Sequence, residues 1–263
     1  MWGSPMPDPG YVMVIALVLA TGLIGAGLAW VTRRYVHLDV LRRHHEVGSA
    51  VFLQLGVLFA VLLAFVFNEV WSEYNSAADA IEQECGALNG VAMLSAALPA
   101  ASRQQVQSLL AAYTDDVITR EFPAMVHRRA DIHSEVAFQS LWLGVAALPG
   151  VREQDTVLRG AMLSLVERAH QNRDLRLFQM STGLPGLIWL LLLSFVVVLV
   201  AFLLFFAVEY IVSQMIFTGA FAACLVFILL VVKLLDFPFE GVLRLAPTDF
   251  QETAQKIATL PGG

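Results

Sequence analysis

Four apolar runs divide the chain, at 11–31, about 48–70, about 186–208 and about 212–235, each almost free of charge inside. At roughly 1.5 Å of rise per residue, each run is long enough to cross a hydrocarbon layer of about 30 Å. The first run, Tyr11 to Val31, has no positive residue before it and no small-residue cleavage pattern after it. It stops at Thr32-Arg33-Arg34, which predicts a retained membrane helix rather than a cleaved leader.

Between the second and third runs the pattern changes without losing its helical period. Trp71, Tyr74, Ala78, Ile81, Cys85, Leu88 and Ala92 recur at spacings of three and four. The second membrane helix is therefore expected to continue beyond the bilayer as one long amphipathic helix. Leu98-Pro99 ends it. Ser102 is expected to cap a helix running to about Thr119 that carries Val106, Leu109, Leu110, Tyr113 and Val117. Pro123 interrupts, and further helices are expected over about 124–147 and 152–181, separated by Pro149-Gly150. No β-hairpin pattern occurs. The chain therefore reads as all-α, an integral membrane protein with four transmembrane helices in two hairpins and a helical soluble domain between helices 2 and 3. The expected divisions are 1–70 with a basic loop at 32–47, an extramembrane domain at 71–185, a second hairpin at 186–240 and a short polar tail at 241–263. The tail is expected to be loosely ordered.

Composition agrees with lipid solvation. Of 263 residues, 58% are hydrophobic and 14% charged, and the mean hydropathy is +0.70. Soluble domains run near a quarter charged. The net charge of −6 argues against a nucleic-acid binder, which would show a basic face. Cys85 and Cys224 are too few for a disulfide framework and read as packed, inert thiols.

Charge also suggests sidedness. The 32–47 loop carries Arg33, Arg34, Arg42 and Arg43 against Asp39 and Glu46, which places it in the cytoplasm by the positive-inside rule. Residues 71–185 would then be periplasmic. The interval 69–185 holds 14 acidic and 9 basic residues.

Motifs for chemistry are missing from the sequence. It has no HExxH, no phosphate-cradling Gly-Lys-Ser/Thr loop and no CxxC. His44-His45-Glu46 is a poor chelate, because neighbours on a helix point about 100° apart. It reads as a charge cluster at the membrane surface. His127 and His133 flank Arg128-Arg129 and read as a solvated polar face. No catalytic residue, cofactor or metal is expected.

Polar groups within a span are costly. On the second helix Gln54, Leu58, Val61, Phe65 and Asn68 fall on one face, polar at its ends and apolar in the middle. A pore-lining helix with a hydrophobic constriction has that pattern. The simpler reading is that Gln54 and Asn68 hydrogen-bond to neighbouring helices. Gly56, Ala60 and Ala64, at four-residue spacing, suit close helix packing within or between subunits. Lys233 and Asp236 stand three apart at the end of the fourth run, where they can neutralise each other. Asp236-Phe-Pro-Phe-Glu-Gly241 then makes a sharp stop with aromatic residues suited to the interface.

The ordered set of segments Leu63-Ala-Phe-Val-Phe-Asn68-Glu-Val-Trp71-Ser-Glu-Tyr74, Ala77 to Glu84, Leu98-Pro99, Leu110-Ala-Ala-Tyr113, Glu121-Phe-Pro-Ala-Met125 and Asp236-Phe-Pro-Phe-Glu-Gly241 resembles the bestrophin-like family of bacterial membrane proteins over about 45–245. The resemblance implies similarity to bestrophins, which are pentameric chloride channels whose second membrane helix lines the pore. Leu58, Val61 and Phe65 would be the neck by position and character. No acidic cluster matches the bestrophin calcium clasp.

The expected function is a homo-oligomeric ion channel in the inner membrane, pentameric by resemblance, conducting small inorganic ions. The ion sign stays open, anion by resemblance and cation by attraction to an acidic domain. The alternative is a non-conducting scaffold or sensor.

Overall fold

The computed structural model describes residues 9–36, 45–149, 153–206, 208 and 210–259. Of the residues read above, Asp39, Arg42, Arg43, His44, Gly150 and the last four lie outside that set. Among the described residues the chain is helical without a strand. The helices are α1 (Pro9–Tyr35), α2 (His45–Ser95), α3 (Ala100–Asp116), α4 (Phe122–Met125), α5 (Ile132–Ala146), α6 (Glu153–Ser181), α7 (Gly186–Leu204), α8 (Ile211–Leu235) and α9 (Thr248–Thr259). Four of them, α1, α2, α7 and α8, are long and apolar enough to cross a membrane. Helix α2 is unbroken over 51 residues, as its continuous periodicity predicts.

The chain forms two compact units. The first comprises Met1–Ser72 and Gly183–Asp236. Its four membrane helices follow one another as two hairpins in chain order, but α1 packs along α8, not along α2. Small residues make that approach possible. A Cβ on Gly219 would lie 2.7 Å from the Gly22 carbonyl oxygen, and one on Gly25 would lie 3.0 Å from the Ala222 Cβ. Aromatic rings seat α2 on α7 and α8, with Phe59 and Phe195 centroids 5.8 Å apart and Phe52 and Phe221 centroids 5.9 Å apart.

The second unit comprises Glu73–Thr182 and Phe237–Gly263. Ile81, Leu88, Leu110, Tyr113, Met125, Leu141 and Met162 form its buried centre. Three expectations need correction here. Helix α3 begins after Pro99, which takes the N-cap position without a side-chain cap, so Ser102 lies inside the helix. The Pro99 ring fixes the helix entry at φ −52°, three residues ahead of the polar cap expected at Ser102. The helix expected over 124–147 is interrupted. Helix α4 ends at Met125, Arg128 adopts a left-handed φ of 56°, and Asp131 restarts the chain by accepting the N–H groups of His133 and Ser134 at 3.1 and 3.0 Å. The tail is not loose, because α9 buries Phe250, Thr253 and Ile257. These residues recur at spacings of three and four and give the helix one apolar stripe.

Candidate functional site

At about 100° per residue, the two sides of α2 can be compared around its axis. Phe59, Val66 and Val70 are buried in the first unit, and Ala77, Ile81, Glu84 and Leu88 are buried in the second. These residues share one face of the helix. Gln54, Leu58, Val61, Phe65 and Asn68 project from the other side, about 200° around the axis, and all five are exposed. Leu58, Val61 and Phe65 retain 59%, 52% and 72% exposure. These values mean that the described helices leave the apolar middle of the stripe uncovered. The same register continues through Ser72, Asp79, Gln83 and Gly86, which are also exposed. Glu69 and Glu82 flank the stripe and are exposed as well.

Gly56, Ala60 and Ala64 lie beside this face. A Cβ on Gly56 would meet nothing within 4 Å, and Ala60 and Ala64 are exposed. Among the described residues, no helix packs closely on this stripe. The small residues that do carry close packing are Gly22, Gly25 and Gly219.

The membrane end of α8 is tied by Asp236, which is 1% exposed. Its carboxylate accepts the Leu184 N–H at 2.7 Å and the Trp189 indole N–H at 3.3 Å. Lys233 stands 3.6 Å from it, with its ammonium 5.5 Å from the Trp189 ring centroid. Lys233, itself half exposed, thus supplies charge to a carboxylate whose main work is to hold two N–H donors.

Sequence reasoning missed a buried charge cluster in the second unit. Arg176 on α6 donates its Nε–H to Glu84 on α2 at 2.9 Å and an Nη2–H to Glu121 at 2.8 Å. Arg173 donates to Glu121 at 2.7 Å and also to Glu135 on α5. The Tyr113 hydroxyl on α3 donates to the other oxygen of Glu84. Glu84, Glu121, Tyr113 and Arg176 are all fully buried. Val117–Glu121 forms a π-helical turn, the kind of local widening that re-aims a side chain, and it ends on Glu121. Burial pushes the Glu84 carboxyl up, against the pull of Arg176 and the Tyr113 hydroxyl. Burial also pushes Glu135 up, but the hydrogen bond and charge of Arg173 outweigh it and hold that carboxyl below its ordinary value. The spacing of Arg173 and Arg176, three apart on one face of a helix, was the available signal for this cluster.

Cys85 is buried, and desolvation pushes its thiol up to about 12. Cys224 is exposed, which corrects its reading as a packed thiol. His127 and His133 are exposed. Among the described residues no group of three or more His, Cys, Asp or Glu side chains is arranged to hold a metal ion.

A sequence profile of the bestrophin-like domain matches residues 19–250. No curated protein matches the chain. Among solved structures, a bacterial bestrophin homologue from Klebsiella pneumoniae carrying a single substitution superposes with a TM-score of 0.72 at 13% identity, covering 95% of this chain and 99% of the other. A second variant of the Klebsiella pneumoniae homologue gives 0.70 at 14% identity, with 96% and 99% covered. A crystal structure described only as a membrane protein gives 0.69 at 13% identity, with 93% and 97% covered. At these identities the likeness is one of fold.

Proposed function

The chain belongs to the bestrophin-like family, and we propose that it is a homo-oligomeric ion channel of the bacterial inner membrane, with α2 from each subunit around an axial pore. The observation that carries this reading is the uncovered face of α2, opposite the face that packs on the chain's own helices. Lipid would satisfy Leu58, Val61 and Phe65, but it would leave Gln54 and Asn68 costly on the same stripe. A water-filled axis satisfies both kinds of residue. The three apolar side chains then form a constriction that controls flow by wetting and dewetting. Gly56, with open space where a Cβ would stand, and the exposed Ala60 and Ala64 suit close contact between adjacent subunits. Cyclic symmetry gives every subunit the same role, and five subunits are expected from the family resemblance.

Cations are the favoured ions. Glu69, Asp79 and Glu82 are exposed on α2, and repetition around an axis turns each into a ring of negative charge. The arginine-rich 32–47 loop supports a cytoplasmic loop and a periplasmic second unit. Arg128 and Arg129 belong to a long domain, where the charge rule carries little weight, and Arg244, soon after α8, is one charge against the four arginines of the loop.

Native mass measurement tests the assembly, and a strict monomer would rule out an axial pore. A membrane-impermeant maleimide on Ser108→Cys tests the sidedness. Cys85 is buried and Cys224 lies in a span, so the introduced thiol dominates the signal. Labelling of intact cells supports the periplasmic assignment, and labelling only after permeabilisation reverses it.

A further inference from the structure

We propose that the loop between α4 and α5, together with the segment that follows α8, forms a binding site for the phosphate of an anionic phospholipid. An open cleft of about 740 Å³ is lined by Ala124, Val126, His127, Arg128, Arg129 and Glu240. A second cleft of about 380 Å³ shares Val126 and His127 with it and adds Arg244 on a wall of Phe122, Phe239 and Leu245. Three arginines and a histidine therefore meet one carboxylate. That carboxylate is already engaged, since Arg128 reaches both oxygens of Glu240, the second at 3.2 Å. Arg129 and Arg244 are exposed, and neither has an acidic partner among the described residues.

The local backbone holds this arrangement. Arg128 occupies the left-handed region at φ 56°, which is unfavourable for a residue with a side chain. Its guanidinium lies 3.5 Å from the centroid of the Phe237 ring, and Glu240 holds the other side. These contacts fix the turn and leave Arg129 directed to solvent.

Chain position makes a lipid the favoured source of phosphate. Phe237 directly follows Asp236, the C-cap of the last membrane helix, so the segment begins at the end of a span. Arg128 stacks on Phe237 itself, and guanidinium groups beside the segment that follows a span suit a phosphodiester. The apolar wall suits the glycerol and upper acyl carbons of an amphiphile, which a free phosphate would not use.

The test counts lipids on the full-length protein in detergent by native mass spectrometry, using phosphatidylglycerol and phosphatidylcholine at equal concentration. Wild type should retain phosphatidylglycerol preferentially. The Arg129→Gln/Arg244→Gln variant should bind it about thirtyfold more weakly, from two juxtamembrane charges at their usual contribution, with phosphatidylcholine unchanged. The matching double lysine variant should restore most of the binding. Both side chains are exposed, so the melting temperature of the variants should match wild type, and Arg244→Gln alone should still give a measurable loss. Equal retention of the two lipids by wild type, or undiminished phosphatidylglycerol on the glutamine variant, would overturn the proposal. Full displacement by excess inorganic phosphate would reassign the cleft to the free ion and also overturn it.

Discussion

Arg176 donates its Nε–H to Glu84 at 2.9 Å, and solvent reaches neither side chain. The pair joins α6 to α2. Through Glu121, Tyr113, Arg173 and Glu135 it also ties in the π-helical turn, α3 and α5. Removing one partner of a buried pair costs about 3–5 kcal/mol, because the remaining charge stays without compensation. Arg176→Met should therefore lower stability by about that amount. Adding Glu84→Gln should recover part of it, because one stranded carboxylate is then neutral. Thermal melting of both variants in detergent checks this.

Glu135 provides the pH dependence. Arg173 holds its carboxyl below the ordinary value of 4.5, so folding favours the ionised form. The stabilisation is full above 4.5 and is lost as pH falls through the lower folded value. The melting difference between wild type and Glu135→Gln should be constant near neutral pH and shrink below 4.5. A difference that grows on acidification would reverse the sign. Its carboxylate is 40% exposed, so solvent screening keeps the effect small.

Asp236→Ala should destabilise the first unit by about 1–3 kcal/mol, because the Leu184 N–H and the Trp189 indole N–H lose their acceptor. Asp236→Asn keeps an acceptor oxygen and should cost less. Intrinsic Trp fluorescence during unfolding reports both, since Trp189 is one of the two donors.

Much of this fold could be read from the sequence. A hydrocarbon layer demands about twenty apolar residues in a row, so the four spans could be read directly. The continuity of α2 followed from an unbroken period between Trp71 and Ala92. The stripe from Gln54 to Asn68 was legible for the same reason, since one helix fixes the relative directions of its own side chains. Contacts between distant segments were not legible. Periodicity marks Glu84 and Arg176 as residues on helices but cannot show that 92 positions of chain close into one ion pair. The packing of α1 on α8 was hidden similarly, because Gly22 and Gly219 have meaning only when paired. In the tail, polar residues and glycines outnumbered the three positions, Phe250, Thr253 and Ile257, that anchor α9.

Phe65 has the highest exposure of the three apolar residues on the α2 stripe. Truncating it should widen the proposed constriction and ease wetting. Phe65→Ala should raise resting ion flux several-fold in liposomes, while Phe65→Leu should stay near wild type. Unchanged flux in a conducting wild type would place the narrow point elsewhere on the helix.

The most direct test is the reversal potential of the purified protein in a planar bilayer under a potassium chloride gradient. The expected result is a current reversing near the potassium equilibrium potential, moving toward zero in Asp79→Asn as one of the three proposed rings of charge is removed. Reversal near the chloride potential would contradict the proposed ion sign, and no current at any voltage would contradict the channel itself.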